Sequence, residues 1–349
     1  MWLYLTILSV FLILLLSGMH PRTQEPFMSK TNTMSLRGLA ILVVVIHHLG
    51  QRLDDSLPLM VYLLNFFIGY LAVGLFFFLS GYGNFISISR NEKASTRDKF
   101  SWIVRRFIDL LVIFYVAEAM ALVCEVLTRQ DLKPNLWGLI TFSLPNWDTW
   151  YIKIQLLLYV LMFIAWIPSK LTKIHRILLL TMLVSAAIII MNVCGLSDYW
   201  WNTMLCFPAG ALLAHYRSQA ESWLRRYWLI SGCVCTAVFG ILFLLTYKGN
   251  TLIGIPTTVM FCGAILCWNF ALHIQSPVLH WLGTLSFEIF LTHSFLLRTL
   301  VLLNPFNLPL TFAMLLLLIG TFTLAPVNKF IAARCKLAIL STKGPQHDA

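Results

Sequence analysis

Charge is what this sequence has least of. Asp, Glu, Lys and Arg make up 11% of its 349 residues, against about 25% in a typical soluble domain. So few charges cannot clothe a water-facing surface, and a soluble globular fold is excluded. Glycine-rich phosphate loops are also missing, so an ATP-driven mechanism has no support. Cys and His never fall at zinc intervals, and no metal is expected. The eight cysteines lie in apolar stretches, apart from Cys335 near the C-terminus. They read as small packing residues and not as a disulfide framework. Long linkers, low-complexity tracts and internal repeats are absent as well, which leaves a single domain.

What fills the chain is apolar sequence. Hydrophobic residues reach 59% and the mean hydropathy is +0.81. Runs long enough to cross a bilayer recur from end to end. The fold class is therefore all-α, a polytopic transmembrane helical bundle of about 10–11 spans. The spans lie near 2–19, 36–51, 60–89, 103–127, 150–168, 177–195, 203–217, 228–247, 254–274, 282–302 and 309–327. The stretch 60–89 is long for one span, and a short interfacial or re-entrant piece, 58–69, is expected ahead of a full helix. Residues 1–30 are either an extra first helix or a mis-assigned start, because Met28 opens a plausible shorter chain. Residues 31–330 form the membrane domain and 331–349 a tail.

The net charge of +11 does not point to nucleic acid. Its basic residues sit in short loops, where they report topology. Nineteen Lys and Arg fall in the loops on one side and four on the other. That imbalance puts the C-terminus in the cytoplasm of a multi-pass protein of the inner (plasma) membrane, with lipid as its surroundings.

Against this background "RGLAILVVVIHHLG", residues 37–50, stands out. Polar groups at membrane depth are costly and are functional candidates by default. On an α-helix the eleven residues from Arg37 to His48 turn through three full turns plus about 20°. The two side chains share a face, about 16 Å apart along the axis. With Arg37 at the cytoplasmic interface, His48 reaches mid-membrane, and one face links cytosolic phosphate to a buried base. His47 lies about 80° away from Arg37. The same spacing also fits a snorkelling anchor at Arg37 and a hydrogen-bonded packing histidine at His48.

The stretch "SLRGLAILVVVIHHLG" resembles the opening helix of the acyltransferase-3 family of integral-membrane acyltransferases. Its hallmark is an arginine, ten residues and a histidine, which Arg37 and His48 match. "FFFLSGYG" at 76–83, "IVRRF" at 103–107, "WDTWYIKIQLLLY" at 147–159, "FPAG" at 207–210 and "LGTLSFEIFLTH" at 282–293 resemble further family segments in the family's order. The likeness spans about residues 34–330. Two positions depart from it. Gln155 stands where the family often has glutamate, and "FIDLLV" with Asp109 follows Arg105–Arg106 where many members carry another arginine and then a proline.

The resemblance implies transfer of an acyl group, usually acetyl, from cytoplasmic acyl-CoA (acetyl-CoA) to a hydroxyl of a cell-envelope carbohydrate. Surface polysaccharide, lipid-linked sugar and peptidoglycan all fit as acceptor. A sugar hydroxyl is a weak nucleophile and needs a base within hydrogen-bond reach; imidazole suits that task. His48 either deprotonates the acceptor or first takes the acyl group as a covalent relay. The phosphates of acyl-CoA call for guanidinium partners, and Arg37, Arg105 and Arg106 are the candidates. Arg105 and Arg106 also lie in the most basic loop, where they serve equally as topology determinants. His47, Ser80, Tyr82, Gln155, Glu288 and His293 are candidate cavity-lining residues.

An alternative class is a transporter or flippase of a lipid-linked or polymeric glycan, whose polar groups would line a path. Such a protein would show inverted repeats and paired broken helices, and the sequence shows neither. A scaffold within a biosynthetic complex would be indifferent to loss of His48.

Overall fold

A chain buried in hydrocarbon must satisfy its backbone hydrogen bonds internally, which leaves it helices or closed barrels. The computed structural model describes residues 2–20, 26–52, 59–90, 95–128, 149–247 and 251–341. They form twelve α-helices and no strand, apart from one bridge between Met19 and Ile274. In chain order these are α1 (Trp2–Ser17), α2 (Lys30–Gly50), α3 (Leu59–Ser89), α4 (Thr96–Leu127), α5 (Thr149–Trp166) and α6 (Lys173–Val193). There follow α7 (Cys206–His215), α8 (Arg217–Tyr247), α9 (Gly254–Leu272), α10 (Pro277–Thr284), α11 (Ser286–Leu296) and α12 (Leu310–Ser341). A π-helical stretch, Leu297–Leu303, joins α11 towards α12. Among the described residues, eight helices are long and apolar enough to cross a membrane.

Two expectations about the spans change. Residues 59–89 form one continuous helix, without the expected break after a short piece; residues 53–58 lie outside the described set. The span read at 282–302 is present as Ser286–Leu303, built of α11 and the π-helical stretch, but its first residues belong to α10. The break falls at Leu285, whose backbone (φ −111°, ψ 6°) leaves the helical region. Unbroken hydropathy conceals such a break, because apolar composition continues across it. The last helix also runs on to Ser341, past the 330 boundary read from composition.

The helices divide into two compact units, with boundaries after Trp102, Lys153 and Thr284. The first unit holds α1 to α3, the start of α4, most of α5, and α6 to α10. Within it α2 packs on α3 and α10, α3 on α7, and α8 on α9. Its core is filled by wholly buried Leu36, Ile41, Phe77, Leu158, Trp166 and Phe207. Small residues allow the closest approaches, as is usual where lipid supplies no hydrophobic drive between helices. A Cβ on Gly38 would collide with the Leu279 carbonyl, and one on Gly283 with the Met34 carbonyl. The backbones of α2 and α10 therefore touch beside Arg37. Gly81 and Gly210 nest in the same reciprocal way against Phe207 and Phe78, which explains glycine in both "LSGYG" and "FPAG".

The start of α2 is pinned firmly. Ser29 caps it, its hydroxyl accepting from the Asn32 N–H at 3.1 Å. Fully buried Asn32 and Asn269 exchange amide hydrogen bonds of 3.0 and 2.9 Å. Asn32 also donates to the Ile274 carbonyl at 3.2 Å, and Asn269 accepts the Ile274 N–H at 3.1 Å. A buried amide is costly unless all its groups are used, and this pair uses them to lock α2 to the end of α9.

The second unit holds the rest of α4, the start of α5, α11, the π-helical stretch and α12. Two charge pairs cross it. Lys336 meets Asp109 at 3.1 Å, and Arg298 meets the buried Glu125 at 3.5 Å. Asp109, the residue that departs from the family pattern, thus has a cationic neighbour on α12.

Candidate active site

The two histidines lie in the last turn of α2, and the backbone stays helical for one residue past its end. Gln51 keeps α-helical angles (φ −64°, ψ −12°) and its N–H caps the His47 carbonyl at 3.0 Å. It therefore stands one turn after both histidines, at i+4 from His47 and i+3 from His48, the spacing at which helical side chains meet. Its amide bridges the two rings. Gln51 Oε1 lies 3.2 Å from His48 Nδ1, and Gln51 Nε2 lies 3.1 Å from His47 Nε2.

This bridge selects tautomers. A carbonyl oxygen only accepts, so His48 Nδ1 carries the hydrogen, and the basic lone pair of neutral His48 is on Nε2. The amide nitrogen only donates, so His47 Nε2 is an acceptor and its hydrogen is on Nδ1. The ring centroids are 5.1 Å apart. The two histidines are differently housed: His48 is half-buried and His47 is buried. The His47 ring occupies the space where a Cβ of Gly69 on α3 would stand, so Gly69 makes room for it. Arg52 follows directly, and burial pushes its guanidinium below its ordinary pKa. Arginine is basic enough to stay charged, so a positive charge sits one residue past the bridge.

Arg37 is half-buried on α2, beside the glycine contact with α10. Arg37, His47 and His48 belong to the first unit; Arg105, Arg106, Glu288 and His293 belong to the second. On α4, Arg105 is exposed and Arg106 half-buried. On α11, Glu288 and His293 are both buried. His293 Nδ1 donates to the Ile289 carbonyl at 3.0 Å, so its basic lone pair is on Nε2 too.

The remaining candidates have structural contacts. Ser80 accepts from the Asn84 amide on both its carbonyl (2.9 Å) and its hydroxyl (3.1 Å). The Tyr82 hydroxyl reaches the Met28 carbonyl at 3.5 Å and ties α3 to the approach to α2. Gln155 differs: it is 2% exposed and its amide nitrogen has no partner among the described residues. A buried donor left open carries a penalty of about 1–3 kcal/mol, which an incoming acceptor would relieve. An apolar groove of about 570 Å³ lies between α4 and α12, and none of the candidate residues lines it. Among the described residues no three His, Cys, Asp or Glu side chains gather as a metal site.

Gln51 was not among the candidates, although it closes the span read at 36–51, because it belongs to none of the family-like segments. Its spacing from the two histidines was the signal available.

Compared with known proteins, the chain matches a family model described as an acyltransferase domain, that of acyltransferase family 3, over residues 34–327. No curated protein and no solved structure matches it. The match covers every helix from the first turns of α2 to the middle of α12, and it decides between enzyme and transporter. A multi-pass bundle with an arginine and a histidine eleven residues apart on one helix is thus accounted for: the chain belongs to acyltransferase family 3 and is a membrane acyltransferase.

Proposed function

We propose that the protein moves an acyl group, acetyl by preference, from cytoplasmic acyl-CoA to a hydroxyl of a cell-envelope carbohydrate, with His48 as general base. The observation that carries this reading is the Gln51 bridge, which puts the hydrogen of His48 on Nδ1 and the lone pair on Nε2. A general base needs its lone pair directed at the proton it takes and its other nitrogen held.

In this mechanism His48 Nε2 takes the proton of the acceptor hydroxyl as its oxygen attacks the thioester carbonyl. The tetrahedral adduct collapses with cleavage of the C–S bond. The departing CoA sulfur takes the proton back from His48, leaving an ester, free CoA and neutral imidazole. The Nδ1–H of His48 stays on the Gln51 oxygen throughout, so the imidazolium formed midway is stabilised by a neutral dipole. Arg37, two turns into α2, binds donor phosphate. Gln155, with its open amide donor, is a candidate for the carbohydrate, whose hydroxyl and ring oxygens accept hydrogen bonds.

The test is turnover of radiolabelled acetyl-CoA by the purified protein with cell-envelope glycan fractions, comparing the parent with His48→Ala. Label should pass to an alkali-labile ester on glycan with the parent and not with the variant at equal membrane level. Full transfer by His48→Ala would remove this mechanism.

A further inference from the structure

Away from the histidines, the first unit holds two cations with no counter-ion among the described residues, and one of them, Arg176, has open guanidinium nitrogens that are buried. The place is where α3 ends, α4 begins and α6 begins. These ends are held together: Trp102 on α4 donates to Ser87 on α3 at 3.1 Å, and Phe100 on α4 contacts Phe163 on α5 edge to face at 6.3 Å. Arg176, in the first turn of α6, is 2% exposed, and Lys99, in the first turn of α4, is 5% exposed. One guanidinium nitrogen of Arg176, Nη2, donates to the Ser169 carbonyl at 3.1 Å. Among the described residues its Nε and Nη1 are buried with no partner, and Lys99, whose side chain is mostly covered, makes no hydrogen bond or ion pair. Burial, and after it the Arg176 guanidinium, hold the Lys99 ammonium below its ordinary pKa.

Such an arrangement is unfavourable as it stands. A buried ion without a partner is among the costliest features a fold can carry. Arginine cannot escape by giving up its proton. Two neighbouring features add to the positive character. Thr172 at the N-cap of α6 makes no side-chain capping bond, so the first turn of a 21-residue helix keeps open N–H groups and the positive end of its dipole. Three residues before Ser169, the indole N–H of Trp166 is buried with no partner among the described residues. Every open group here is a donor. What completes the set is an anion with several acceptor oxygens, and phosphate has both the charge and the oxygens.

We propose that Lys99 and Arg176, with the first turn of α6, form a binding site for a phosphate group, carried either by a soluble nucleotide or by an anionic lipid headgroup. The site lies outside the residues assigned to acyl transfer and does not depend on that assignment.

Thermal unfolding of the purified full chain in phosphate-free neutral detergent tests it. One arm titrates adenosine 3′,5′-bisphosphate, a soluble nucleotide; the other titrates dihexanoyl phosphatidate, a lipid headgroup. At least one should raise the parent's unfolding temperature; because the bisphosphate is also the nucleotide end of CoA, a shift counts for this site only where Arg176→Met and Lys99→Gln weaken it. Arg176→Met and Lys99→Gln should each need about tenfold or more of the same anion for half the shift, the scale of one lost charge-assisted contact. Without anion, Arg176→Met should unfold no lower than the parent, because it deletes an uncompensated buried charge. Its insensitivity to anion therefore cannot be mistaken for misfolding, and Lys99→Gln tests the site a second time. The proposal fails if neither anion shifts the parent, or if both variants respond as the parent does.

Discussion

Replacing Gln51 by leucine removes the amide that sorts the two imidazole tautomers while leaving a helix-compatible side chain of similar size. The bond it breaks is a neutral one of 3.2 Å to His48 Nδ1. Such bonds contribute about 0.5–1.5 kcal/mol net. If that is the margin by which the Nδ1–H form of His48 is favoured, its loss leaves the two tautomers equal and lowers the competent fraction by less than about twofold. The imidazolium formed midway also loses its acceptor, which raises the barrier by about 0.5–1.5 kcal/mol, or roughly two- to tenfold in rate. Gln51→Leu should therefore lower kcat by about two- to tenfold, with KM for acetyl-CoA unchanged. Gln51→Glu should retain more activity than Gln51→Leu, because a carboxylate oxygen still accepts from His48 Nδ1. His47→Ala should also retain measurable activity, because the bond from Gln51 to His48 survives it. The assay is steady-state acetyl transfer with the purified variants. The reasoning is refuted if Gln51→Leu turns over like the parent, or if Gln51→Glu is the more damaged of the two. The second result would mean that the amide nitrogen, and not the oxygen, faces His48.

Two further outcomes follow from the same geometry and from the charge pattern. Gly69→Ala places a methyl where the His47 ring sits, so it should depress acetyl transfer more than His47→Ala does; combining both changes should recover part of the loss, as expected for residues that share one contact. A C-terminal reporter that works only outside the cytoplasm should stay silent in cells, in line with nineteen basic residues on one side of the chain against four; a strong reporter signal would reverse the proposed donor side.

Helix content and the Arg37–His48 face were readable because both follow from local sequence: long apolar runs and an eleven-residue spacing. The break at Leu285 was not readable, since Leu282, Leu285 and Ile289 are apolar alike and equally buried. Gln51 closes the span read at 36–51, and its role arises only from its amide reaching both rings at once. Arg176 and Lys99 looked like two more topology charges. Their burial comes from packing among α3, α4, α5 and α6, which composition does not report. Ser80 and Tyr82 were picked out by motif as cavity residues, yet their visible contacts bind helix to helix. In a lipid-facing protein the same polar residue types serve packing and chemistry, and only their partners separate the two.

The kink in α8 has a bearing on the host membrane. Tyr227 departs from helical geometry (φ −126°, ψ 19°), and the ten residues before it, 217–226, carry Arg217, Glu221, Arg225 and Arg226. From 228 to 247 the helix is apolar, and its most apolar window is only 6% buried by protein. At 1.5 Å per residue that stretch measures roughly 30 Å, the thickness of a typical hydrocarbon core. The helix thus acts as a depth gauge, with its charged segment in the headgroups and its free face in acyl chains. In thinner or thicker bilayers the mismatch should be taken up by tilt about Tyr227, which spares the helix that carries the histidines.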